Sequence, residues 1–327
     1  KVLNVTFGIT EVQGMIIGAA IILFYTIMGG FRAVAWTDFV QSLLMVFTLV
    51  LLPIIALIEL GGWDRATSSV ISEHINHLSI LGGKSGMLAA LSVISGLAWG
   101  FGYMGQPHLL ARFMAIEKPD DLRKGAVIGI SWAVLAFWGA MFIGLFGIAL
   151  FQSEAIVDQE KVMPLMATEL LPGWLAGILI SGAIAAMMST ADSQLLVTTS
   201  AAAEDIYHNF INKDASEQRL VTVSRVITFA VGVAAFFIAL FSKDLVFTMV
   251  AFAWSGLGAA FGPALFLTLW WQKTTREGVF AGMLVGSIVV IIWHFTPALT
   301  SLLYEMVPAF ILSLLSVWLV SLATYKK

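Results

Sequence analysis

Residues able to do chemistry cluster where polar side chains interrupt apolar runs. Ser189, Thr190, Asp192, Ser193 and Gln194 follow the small, apolar stretch 182–188, with Ser181, Thr198, Thr199 and Ser200 on either side. Adjacent hydroxyls at Ser189 and Thr190, with the Ala186 carbonyl one turn earlier, offer part of the several-oxygen shell that a hard cation such as sodium takes. Gly182, Ala183, Ala185, Ala186 and Ala191 leave room for a neighbouring helix to come close. The plainer reading is that the hydroxyls bond back to the preceding turn or hold helices together, which is their commoner fate.

A second cluster reads Ser95-Gly-Leu-Ala-Trp-Gly-Phe-Gly-Tyr-Met-Gly-Gln-Pro107. Gly96, Gly100, Gly102, Gly105 and Pro107 make a continuous stiff helix improbable there. In hydrocarbon a break is tolerated only where it lines a cavity or packs on protein. Trp99, Tyr103 and Pro107 recur every four residues, so a helix would put them on one face. That face can wall a pocket for a small apolar ring, its unwound backbone meeting a carboxylate or ammonium. It can equally be an aromatic packing face, and the spacing leaves both open.

Asp38 and Asp192 are the carboxylates nearest these spans, and ionisable groups at membrane depth are functional candidates by default. Plain capping is an equal contender for Asp38, which follows Trp36 and Thr37 at a helix start. The pairs Gly14/Gly18, Gly125/Gly129, Gly258/Gly262 and Gly282/Gly286 are expected to mark close helix contacts. No HExxH, phosphate-loop, GxSxG or zinc spacing occurs, so an enzyme has no chemistry to point to.

The elements that must position these groups are transmembrane. Of 327 residues, 59% are hydrophobic and 11% charged, whereas a soluble domain carries roughly 25% charged residues. A net charge of −3 without a basic stripe gives no sign of a nucleic-acid partner, and without cysteine there is no disulfide framework or thiolate metal site. The chain divides into nine expected spans, roughly 12–28, 36–58, 88–111, 125–151, 174–206, 220–241, 245–271, 278–295 and 302–324. The fold class is therefore all-α, a polytopic bundle read as a single domain over residues 1–327.

Lysine and arginine accumulate in alternate loops, at Arg32, Arg112, Lys118, Arg123, Lys124, Lys213, Arg219, Lys273, Arg276, Lys326 and Lys327. The positive-inside rule then puts the C-terminus in the cytoplasm and Lys1 outside. The long loop 61–87 is extracytoplasmic, and its Ser68–Ile80 stretch is expected to form a short interfacial helix. His74 and His77 are spaced for a metal there, but two solvated histidines are the simpler account. An odd number of spans starting outside suggests earlier helices.

Three motifs carry a resemblance to a known family. They are Gly29-Gly-Phe-Arg-Ala-Val-Ala-Trp-Thr-Asp-Phe-Val-Gln41, the stretch from Leu97 through Pro107 to Met114, and Ala185-Ala-Met-Met-Ser-Thr-Ala-Asp-Ser-Gln-Leu-Leu196. Together they resemble the sodium:solute symporter family, and the second is more similar to its proline branch than to its sugar or pantothenate branches. The resemblance implies a partial leucine-transporter-type inverted repeat, with four of thirteen helices preceding this chain. It implies proline as substrate and sodium as the co-transported ion, in the inner membrane and in contact with its lipid. By motif, Trp99, Tyr103 and Pro107 match positions implicated in proline binding. Ala186, Ser189 and Thr190 match the sodium site, Ala186 through its carbonyl, and Asp38 matches an aspartate linked to sodium movement toward the cytoplasm. The rest of the sodium shell would come from a helix absent here. A channel would need a pore ringed by carbonyls or charges, and a symporter-like sensor would need a signalling region after Lys327; the sequence shows neither.

Overall fold

The computed structural model describes residues 1–73, 75–155, 158–242 and 244–325. Among them the regular elements are all helical, and eight helices are long and apolar enough to cross a membrane. In chain order the α-helices, long and short, are α1 (Val2–Phe7), α2 (Glu11–Glu59), α3 (Trp63–Glu73), α4 (Gly86–Gly102), α5 (Pro107–Met114), α6 (Asp121–Ala155) and α7 (Val162–Leu170). There follow α8 (Gly173–Ser200), α9 (Glu217–Phe241), α10 (Val246–Trp270), α11 (Arg276–His294), α12 (Pro297–Thr300) and α13 (Met306–Thr324).

The first two expected spans lie within α2. Thr10 and Gln13 close a capping box at its start, satisfying two amide groups that would otherwise lack partners. At about 1.5 Å per residue its 49 residues measure about 74 Å, more than twice a hydrocarbon core of about 30 Å. Gly30 breaks it, with φ 60° and ψ −172°, a backbone that glycine adopts at little cost. Tyr25, before the break, reaches Asp192 of α8, and past it Asp38 reaches Ser193. Further on, Thr48 Oγ1 donates to the Leu179 carbonyl at 2.9 Å. The chain has therefore turned at Gly30 and runs back along α8.

The chain forms two compact units. One comprises residues 1–78 and 117–242, and its core packs Leu52 and Ala56 against Ile143, Phe146, Met166 and Leu179. Glycine lets α2 seat closely there, since a Cβ on Gly182 would meet the Leu44 carbonyl at 2.8 Å and one on Gly139 would overlap Leu49. At one end, Lys1 is paired with Asp158 at 3.0 Å and with Glu160, and Lys161 bonds Glu11 and Asn4 at 3.0 Å each. The helix expected at Ser68–Ile80 begins earlier, as α3. Its Trp63 sits edge-on to Phe142 and Phe146 of α6 while Ala66 and Val70 are buried. A single 3₁₀ turn, Ile75–Leu78, follows, and the histidine pair lies outside the described residues at His74 and at the side chain of His77.

The second unit comprises residues 79–116 and 243–327, with Ala98, Ala259, Val290, Met306 and Ala309 at its centre. Here Gly258, Gly262, Gly282 and Gly286 do mark close helix contacts. In the first unit Gly18, Gly125 and Gly129 meet nothing within 4 Å. A glycine pair gives a helix room for a neighbour but does not supply one. Large apolar side chains stay exposed along the spans, Phe24, Leu97, Phe247 and Trp270 by 70–72%, an arrangement suited to hydrocarbon rather than water.

Candidate functional site

The glycine-rich stretch breaks where its composition requires. α4 ends at Gly102, Tyr103–Gly105 forms one 3₁₀ turn, and Gln106 is extended at φ −83°, ψ 109° before Pro107 opens α5. Proline is well suited to that first position because it has no amide hydrogen to satisfy. A carbonyl exposed by such a break needs a donor, and Gln106, 1% exposed, supplies one. Its Nε2 donates to the carbonyls of Gly102 and Trp254, both at 3.2 Å. A Cβ on Gly105 would come within 2.6 Å of the Leu257 carbonyl, and one on Gly102 would overlap the Trp254 indole. The missing side chains are what allow α10 to lie against the break.

Trp99, Tyr103 and Pro107 all sit at this break, but their surroundings differ. The Trp99 ring stacks on Trp254, Phe247 and Tyr304 at centroid distances of 5.5, 5.6 and 6.2 Å, and the Trp254 Nε1–H donates to its carbonyl. Its ring is thus a packing element. Tyr103 meets Trp254 edge-on at 4.8 Å and remains 40% exposed, which leaves its phenol accessible.

In the other unit, Ala186, Ser189 and Thr190 come together. The Ser189 and Thr190 hydroxyls donate to the Ala186 carbonyl at 3.2 and 3.1 Å, so three oxygens converge on one turn of α8. Hydroxyl lone pairs remain free to coordinate while the protons are so engaged. The same bonds also satisfy the plainer back-bonding reading. One turn further along, Asp192 is fully buried, and its Oδ2 accepts from the Tyr25 hydroxyl at 2.6 Å. Ser193 Oγ lies 3.2 Å from Asp192 Oδ1, 3.4 Å from Asp38 Oδ2 and 2.7 Å from the Ser189 carbonyl. Asp38, half-buried within α2 rather than at a helix start, thus meets through Ser193 the Asp192 carboxylate and the backbone carbonyl of Ser189.

Tyr25, Gln106 and Trp254 were not singled out from the sequence. Tyr25 and Thr26 stand as polar residues inside an apolar run, a signal that is visible in retrospect. Gln106 stands beside Pro107 with no local mark of its two bonds, and nothing local marks Trp254 as the ring against which the break packs.

Comparison with known proteins gives a consistent set of similarities. The family model described as "Sodium:solute symporter family" matches residues 1–286. The chain is 39% identical over 323 residues to the sodium/proline symporter of Salmonella typhimurium, covering 97% of this chain and 63% of that protein. It is also 39% identical over 323 residues to the high-affinity proline transporter PutP of Bacillus subtilis, with 98% and 67% covered. The osmoregulated proline transporter OpuE of the same organism is 38% identical over 321 residues, with 97% and 64% covered. The chain thus spans about two thirds or slightly less of the length of these relatives. A solved Na+-coupled sialic acid symporter, in a substrate-bound outward-open state, superposes with a TM-score of 0.77 at 17% identity, covering 98% of this chain and 70% of that one. That likeness establishes a shared fold.

Proposed function

We propose, from the premise that this chain belongs to the sodium:solute symporter family, that it is the larger part of a sodium-coupled carrier that takes up proline by alternating access. The observation that carries the reading is the convergence of the Ala186 carbonyl with the Ser189 and Thr190 hydroxyls in the middle of a membrane span. These are three of the several oxygens a hard cation takes. Sodium is substrate here, entering with proline and driven by its own gradient, so no nucleotide is required.

In this reading Tyr103, exposed at the α4–α5 break, meets proline, Pro107 fixes the break, and Trp99 supports Tyr103 through the stacked Trp254. Asp38, joined through Ser193 to the backbone carbonyl of Ser189, draws the departing ion toward the cytoplasmic side. The chain is multi-pass, and the distribution of lysine and arginine supports a cytoplasmic C-terminus in the inner membrane. If sodium and proline are coupled, each tightens the binding of the other by the same factor.

The test is sodium-dependent uptake of labelled proline by the whole gene product in vesicles, beside Ser189→Ala/Thr190→Ala and Tyr103→Ala. Expected are sodium-driven uptake, about a tenfold or greater rise in the sodium requirement of the hydroxyl variant, and weaker proline affinity in the tyrosine variant. Folded protein without proline uptake would point to another small organic solute, and uptake indifferent to sodium would remove the ion assignment.

A further inference from the structure

A cavity of about 520 Å³ opens in the first unit, away from the hydroxyl site, against the break at Gly30. Its walls come from the end of the first half of α2, from α8 with its π-helical continuation Ala201–Ile211, and from α9. Thr26 lies in that wall 5% exposed, its hydroxyl making no hydrogen bond. Arg225 also lines it, eight residues into a membrane-spanning helix and so about 12 Å from Glu217 at the helix start. It forms no ion pair among the described residues. A cation so placed needs an anion or a path to the membrane surface.

The charges around the cavity are ordered along the span. The buried bond between Thr199 and Thr228 joins α8 and α9 at one level, at 2.9 Å. Arg225 lies one turn from that level. Glu204 and Glu217 lie further out, Glu204 with His208 beside it. Cation within and carboxylates outside is the complement of a zwitterionic phospholipid, whose phosphate sits nearer the hydrocarbon and whose amine projects toward water. On the other side of Arg225, Val226 and Phe229 are 63% and 57% exposed along α9, a surface for acyl chains.

We infer that this cavity binds one phospholipid with a primary-amine headgroup, its phosphate on Arg225 and its ammonium on Glu204 and Glu217. Guanidinium matches phosphate oxygens in a two-pronged fashion. A primary ammonium donates to carboxylates, which a quaternary choline cannot do, and the second carboxylate disfavours an anionic headgroup. The inference concerns binding, and it stands or falls separately from the carrying of proline.

The experiment is native mass spectrometry of the purified protein in detergent. The protein is equilibrated with equal amounts of phosphatidylethanolamine, phosphatidylcholine and phosphatidylglycerol bearing the same acyl chains. One retained phosphatidylethanolamine is expected, favoured about tenfold over each of the others. Arg225→Ala should lose it, Glu204→Gln/Glu217→Gln should bind the ethanolamine and choline lipids alike, and Arg219→Ala, outside the cavity, should behave as the parent. Equal retention of ethanolamine and choline lipids by the parent, or a preference for the glycerol lipid, would overturn the inference. So would displacement of the lipid by free phosphoethanolamine at equal concentration. The three-lipid comparison on the parent decides the matter even if Arg225→Ala does not fold.

Discussion

The one amide group of Gln106 serves two carbonyls, one released by the α4–α5 break and one from α10. Gln106→Leu keeps the bulk and removes both bonds, leaving two carbonyls without that donor. The expected loss is about 2–3 kcal/mol, read as a lower melting temperature in detergent. Tyr25→Phe makes a similar comparison at the other polar centre. It removes the 2.6 Å bond to buried Asp192 and should cost about 1–3 kcal/mol, whereas the same exchange at Tyr103, whose phenol is accessible, should leave the melting temperature almost unchanged. A null result at Tyr25 would mean that Ser193 alone satisfies the carboxylate.

Elements in this fold are distinguished less by what they contain than by where glycine lets them touch. Gly105→Ala should be severely destabilising, because the new methyl would press on the backbone of α10 at Leu257 and Gly258. Gly96→Ala, inside α4 with nothing within 4 Å, should be neutral or stabilising by up to about 1 kcal/mol through helix propensity. Thermal melts of the two variants side by side test whether close approach at the break is the constraint. The same contrast explains what the sequence could and could not disclose. The run of glycines ending at Pro107 announced a break, and the break is there, because backbone freedom is a local property. The α2 spans were also legible, although as two helices rather than one broken at Gly30. Gly125 and Gly129 were expected to touch a neighbour and do not, since a partner helix is a property of the tertiary fold. For the same reason the rings around Trp99, contributed by residues about 150 and 200 positions away, left packing and pocket undecided until the fold was known.

At the scale of the whole molecule, one end of the first unit is held by charge where the spans are held by packing. Partial burial alone would raise the Asp158 carboxyl, but bonds from Lys1 and the Glu160 amide, with the charge of Lys161, hold it below the usual range. The Lys1 amine is raised, chiefly by its bond to Glu160, against partial desolvation. Asp158, lowered on folding, stabilises above its ordinary value near 4 and loses that effect as pH falls through its folded value. Lys1, raised, stabilises below its ordinary value near 10.4 and loses that effect as pH climbs through its folded value. The latch should therefore contribute between about pH 4 and 10, by about 1 kcal/mol or less. Melting curves of Asp158→Asn and the parent should differ within that window and converge as the pH falls through the lowered folded value of Asp158. Half-molar salt should shrink the difference, and a difference that persisted in acid would assign it to shape rather than charge.

The break at Gly30 also bears on how such a chain is made. Two apolar spans that meet at one non-helical residue, with Arg32 the nearest charge, leave the membrane-insertion machinery only a very short stretch on which to pause between them. So short a joint favours entry of the pair together over entry one span at a time. Lengthening the joint with a polar loop would let the first span commit to an orientation before the second had been synthesised.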